Sequence, residues 1–130
     1  STFLAPDSMI DEIRLACFET GRIYYHNRRL MRCMYLSLST CYAESIEEMA
    51  SLTGRTYTSI NIVGGGCQDS YLNELTTKAC GIPVFAGPVE GTSLGNLIVQ
   101  MIADDQIEDL QAARDMIRVS FDIDMVNPQE

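Results

Sequence analysis

Apolar residues recur along this chain at two spacings, and the changes between them mark the elements. Met9, Ile10, Ile13 and Ala16-Cys17 follow a helical period behind Ser8, whose hydroxyl suits an N-cap, and Gly21 supplies a stop. After a polar-aromatic connection over 23–27, residues 28–52 form the longest periodic stretch. Leu30, Met34, Leu38, Tyr42 and Ile46 repeat every four residues, Met31, Tyr35 and Met49 widen the stripe, and Glu44, Glu47 and Glu48 mark the opposite side. This predicts an amphipathic helix with one buried side that ends before Gly54.

The period then changes. Residues 59–63, Ser-Ile-Asn-Ile-Val, are a short β-branched run that stops at three glycines. Helical spacing returns over 68–80 through Leu72, Leu75 and Ala79, with Gly81 as its end. Residues 82–86 predict a second short strand, and Pro83 places it at a sheet edge or at a strand beginning. A helix over 90–103 turns Leu94, Leu97, Ile98, Met101 and Ile102 inward. A last helix over 110–119 has Asp109 as a cap, and 122–130 reads as a loosely ordered tail. The strand-helix-strand core implies a parallel pair with a right-handed crossover. Two strands alone cannot cover themselves and these helices, so the expected fold is a portion of a larger α/β domain.

Composition adds limits. The chain has 130 residues, 46% hydrophobic and 21% charged, which predicts one partial domain over 1–130 with the balance of a globular protein. No window reaches the ~20 apolar residues of a membrane span, and the first residues lack the basic and apolar regions of a signal sequence. No Met stands first, so a piece of a longer protein is expected. A net charge of -9 opposes nucleic-acid binding while leaving room for a mononucleotide held by backbone N–H groups. Cys17, Cys33, Cys41, Cys67 and Cys80 form no C-x-x-C pair and His26 is the single histidine, a scatter unlike a zinc site. Reduced thiols in a cytoplasmic protein are the favoured interpretation. A disulfide between Cys17 and Cys33, which flank a short connection, is the alternative.

The glycines Gly64-Gly65-Gly66 carry the candidate chemistry. Residues without side chains allow positive φ and let a ligand approach the backbone, and the next helix aims its free N–H groups at the same place. In open parallel sheets ligands gather at such strand ends. A tight turn with no ligand is the alternative. Asp69 stands where a dinucleotide fingerprint needs its third glycine, and no lysine follows as a P-loop requires. Cys67 lacks the second glycine of a nucleophile elbow.

The run Ile60-Asn61-Ile62-Val63-Gly64-Gly65-Gly66-Cys67-Gln68-Asp69-Ser70-Tyr71-Leu72-Asn73-Glu74-Leu75 resembles the adenosine motif of FGGY carbohydrate kinases. The block from Ala79 to Asn96, with Ala-Gly-Pro-Val-Glu at its centre, resembles the L-rhamnulokinase branch of that family. So does the stretch from Arg32-Cys33 to Ser37-Leu38, ahead of Leu52-Thr53-Gly54-Arg55.

The resemblance implies the C-terminal portion of an actin-like ATPase, or ribonuclease H-like, domain: a short parallel strand pair with several helices. It implies ATP with Mg as cofactors and phosphorylation of the 1-hydroxyl of L-rhamnulose. Another FGGY kinase acting on a ketose or polyol, or a non-catalytic actin-like module, is the alternative. Gly65, flanked by Gly64 and Gly66, would rest against the adenosine. Gln68 and Asp69 would lie beside it, Asp69 standing where family members usually carry Asn. Gln68 and Asn73 fit the pattern and equally suit a helix surface. Glu90, Gly95 and Asn96 match as well and suit structural roles.

In the family the catalytic aspartate, phosphate loops and sugar contacts lie upstream. No catalytic or metal-ligating residue is therefore expected in this chain, and Asp104-Asp105 is taken as a solvated turn. The expected partners are ATP, a ketose and the N-terminal remainder of the same kinase, with neither nucleic acid nor membrane. A homodimer of the piece alone is expected from its uncovered surface.

Overall fold

A computed structural model of the chain describes residues 4–24 and 26–128; Tyr25, inside the first connection, and the last two residues of the tail lie outside them. The chain packs as two compact units, 1–38 and 39–130. The elements in order are α1 (Met9–Glu19), α2 (Asn27–Thr53), β1 (Ile60–Ile62), a 3-10 turn (Gly65–Gln68), α3 (Ser70–Cys80), β2 (Val84–Ala86), α4 (Gly91–Ala103), α5 (Leu110–Ser120) and β3 (Asp124–Val126).

In the first unit the Ser8 hydroxyl accepts the Asp11 N–H as the α1 cap. At the other end Gly21 takes φ 77°, and Arg22 and Gly21 close onto the Cys17 and Phe18 carbonyls. This is the left-handed stop that glycine permits. Arg14 bridges to Asn27 at the start of α2 at 2.8 Å. Cys17 and Cys33 sit within hydrogen-bonding reach as free thiols.

In the second unit the expected strand pair is present. β1 runs parallel to β2, pairing Ile60 with Val84 and Ile62 with Ala86. The tail corrects the expectation of loose order: β3 joins antiparallel on the other side of β2, pairing Val84 with Val126. The pairing is made by backbone groups, so the side chains Asp-Met-Val needed no apolar alternation to signal it. β2 is therefore the central strand. Pro83 stands just before it as a strand beginning, not an edge, and its carbonyl receives the Ile60 N–H.

α3 packs on β2 and β3 and buries Asn73, Thr76 and Thr77, and Val84 in β2 is fully buried. The expected apolar face of α3, Leu72, Leu75 and Ala79, is not the buried one. The Thr77 hydroxyl donates to the Ile82 carbonyl at 2.7 Å and lies 3.3 Å from that of Val126, joining helix, β2 lead-in and β3. A separate core forms between α4 and α5 from Ile98, Ile107 and Ala113 with Met101, Ile102 and Ile117 around it. Asp109 caps α5 by accepting the Ala112 N–H at 2.8 Å.

Two other expectations change. The α2 stripe is buried at Leu30, but Leu38, Tyr42 and Met49 are exposed. Leu97 on α4, expected inward, is 52% exposed.

Candidate functional site

β1 and β2 are parallel neighbours, so the chain leaves both at the same sheet end and enters α3 and α4 side by side. The two exits are laced together. Gly87 donates its N–H to the Ile62 carbonyl at 2.8 Å, and Gly64 donates to that of Pro88 at 3.1 Å. The first exit makes the glycine turn. Gly64 takes φ 82°, a left-handed conformation that favours glycine. The Cys67 N–H then returns to the Gly64 carbonyl at 3.1 Å, and that of Asp69 to Gly66 at 3.3 Å.

The second exit is fitted against the first. A Cβ on Gly91 would lie 2.9 Å from the Cβ of Val63, the residue that leads into the glycine turn. A Cβ on Gly87, at φ 126°, would lie 2.9 Å from the Asp122 carbonyl oxygen. These glycines are explained by packing within the chain.

Gly65 and Gly66 are different. Both are exposed, neither has a positive φ, and a Cβ on either would meet nothing within 4 Å. Together with the exposed Gln68 they form an open ledge at the strand ends. Asp69 is half-buried and engaged: one carboxylate oxygen accepts the Leu72 N–H at 3.0 Å, which caps α3. A carboxylate here also meets the positive end of the helix. Asn73, which the sequence left open between the family pattern and a helix surface, is buried beneath the turn, and its side-chain amide donates to the Cys67 carbonyl at 2.8 Å.

This pair of laced turns, one of them a bare glycine ledge, falls inside a stretch that has known counterparts. Residues 8–103 match the FGGY family of carbohydrate kinases, C-terminal domain. The chain belongs to the FGGY family of carbohydrate kinases. Among the described residues the mixed α/β architecture, five helices with a small three-stranded sheet, fits the C-terminal domain of an FGGY kinase. Membership carries with it phosphotransfer to a carbohydrate, with ATP as the donor that FGGY kinases use.

Among the described residues no three His, Cys, Asp or Glu side chains gather where they could hold an ion. Asp104 and Asp105 occupy an exposed turn after α4, with Asp105 at φ 55°. Glu90 is exposed at the start of α4, and its side chain makes no cap hydrogen bond there. Gly95 and Asn96 are exposed on α4, and a Cβ on Gly95 would meet nothing within 4 Å. Among the described residues no helix is long and apolar enough to cross a membrane.

The thiols of the first unit form a cluster apart from the glycine ledge. Burial would raise the Cys33 thiol, but hydrogen bonds from Tyr24, Cys17, Arg22 and Ser37 outweigh it and hold Cys33 below the ordinary thiol range. Cys17 is pushed up by burial and by its Cys33 neighbour. Tyr24 is raised through its hydrogen bond to Cys33.

Proposed function

We propose that this chain supplies the adenosine-binding side of the ATP site in an L-rhamnulokinase-like enzyme that phosphorylates the sugar at its 1-hydroxyl. The observation that carries the ATP role is the bare pair Gly65 and Gly66. Neither backbone strain nor packing within the chain calls for glycine at these two positions. A flat ligand resting on the backbone does, because any side chain would stand where the base and ribose lie. Gly64 shapes the turn, Gln68 borders the ledge, and Asp69 holds the helix start beside it. The sugar preference rests on the Ala79 to Asn96 block and the Arg32 to Leu38 stretch, which resemble that branch of the family.

A kinase must also align the γ-phosphate with the sugar hydroxyl and offer a carboxylate to take its proton. Among the described residues the acidic side chains do not gather into a set that would hold a resident metal. The proposal places the catalytic base, the phosphate loops and the Mg site on an N-terminal part of the same cytoplasmic enzyme, the whole having an actin-like fold.

The test is Gly65→Val in the full-length protein. The valine should raise the Michaelis constant for ATP by filling the open ledge, while the constant for the sugar holds. An unchanged ATP constant would count against the assignment.

A further inference from the structure

Asn73 lies in the first turn of α3, where its side chain is only 2% exposed. Its Nδ2 donates to the Cys67 carbonyl oxygen at 2.8 Å, and its backbone N–H donates to that of Asp69 at 3.0 Å. Its Oδ1 is buried with no hydrogen-bond partner among the described residues. An orphaned buried acceptor costs about 1–3 kcal/mol, a penalty that an apolar side chain of similar size avoids. Burial alone therefore disfavours asparagine at this position. What asparagine offers and leucine does not is the donor to Cys67.

That donor matters because of where the Cys67 carbonyl sits. It belongs to the 3-10 turn Gly65–Gln68, whose own closing bonds run from Cys67 to Gly64 at 3.1 Å and from Asp69 to Gly66 at 3.3 Å. Such i to i+3 bonds have poorer geometry than α-helical ones. Two glycines in the turn also give it wide conformational freedom. The amide of Asn73 ties the turn to the rigid body of α3 at the residue directly after Gly66. We infer that Asn73 is a positioning residue for ATP: it holds the glycine turn in the shape that presents Gly65 and Gly66 to the nucleotide, without touching the nucleotide itself. The inference rests on the adenosine assignment proposed above.

The experiment uses the full-length kinase with Asn73→Asp, which keeps the side-chain shape but replaces the donor with an acceptor, and Asn73→Ser, which shortens the side chain out of reach. The Michaelis constant for ATP should rise about tenfold in either, equivalent to about 1.4 kcal/mol. The constant for the sugar and kcat should stay within about twofold of the parent value, since nothing in the transferring centre has moved. The dissociation constant of ADP, titrated calorimetrically without sugar, should rise by the same factor as the ATP constant.

A merely structural residue would instead lower the active fraction, which reduces apparent kcat and leaves both Michaelis constants alone. That result overturns the inference, as does failure of both variants to fold. Gly65→Val run alongside separates the two levels. A raised ATP constant with Gly65→Val but not with the Asn73 variants overturns the positioning role alone. Unmoved constants in all three variants remove the adenosine assignment and the inference with it.

Discussion

At the scale of single residues, the glycines around the two strand exits divide by what surrounds them. Gly91→Ala would place a methyl 2.9 Å from the Val63 Cβ, and overpacking of this kind costs on the order of 1–3 kcal/mol. Gly65→Ala meets open space without a positive φ, so it should leave stability level or raise it by about 0.4–1 kcal/mol through the unfolded chain. Urea denaturation of the two variants checks the contrast. A destabilised Gly65→Ala protein would mean that the turn needs glycine for itself, which weakens the case for a ligand.

Asp69 stands where the family resemblance implies Asn, and its cap bond to Leu72 explains why both residues serve. Asn and Asp cap about equally well. Asp69→Asn should therefore hold stability within about 0.5 kcal/mol, whereas Asp69→Ala should cost about 1 kcal/mol. Thermal unfolding of both variants reads the difference.

The thiols give a pH prediction of the same local kind. The thiolate is the nucleophile, and Cys33 is held low while Cys17 and Cys80 are pushed up, Cys80 by burial. As pH rises, Cys33 should begin to react with iodoacetamide first and the other two only at higher pH. Peptide mass spectrometry across a pH series gives the order.

At the scale of elements, caps and stops were the most legible features. Ser8, Asp109, Gly21 and Gly81 act through their own side-chain or backbone chemistry within a few residues, and the helices start and stop beside them. The orientation of α3 was not legible. Its apolar residues Leu72, Leu75 and Ala79 outline one stripe, yet the buried residues are Asn73, Thr76 and Thr77 at i, i+3 and i+4. Periodicity reads only apolar faces, so a buried face made of polar side chains bonded to carbonyls escapes it.

The strand β3 escaped for a related reason, since its register is written in backbone bonds to β2 and in the reach of Thr77. Thr77→Val keeps the shape and removes the hydroxyl that donates to Ile82. Leaving that carbonyl without its donor should cost about 1–3 kcal/mol. The loss should appear as faster hydrogen exchange at the β3 amides, ahead of those of α5, because α5 packs on α4 rather than on this junction. Equal protection of β3 in both proteins would show that the hydroxyl does not tie the strand.

At the scale of the whole molecule, large apolar side chains stand exposed in both units. Phe18 is 64% exposed on α1, Val99 66% on α4 and Val119 88% on α5. Exposed apolar groups scattered singly are ordinary, whereas a contiguous face of them marks a surface that meets another. Where the glycine ledge binds only adenosine, the phosphate end of ATP and the sugar need a second wall, and the proposal places that wall on the N-terminal part of the kinase. Two outcomes follow for the chain on its own. Sedimentation should show self-association that falls as the chain is diluted, since apolar faces without their partner find each other. A coupled assay with ATP and L-rhamnulose should show no turnover, because binding adenosine alone does not align a phosphoryl group with a hydroxyl. Adding the separately expressed N-terminal part should then restore phosphorylation and abolish the self-association together, because one surface would serve both. Turnover by the isolated chain would overturn this division of labour. Restored turnover with undiminished self-association would place the docking surface elsewhere on the domain.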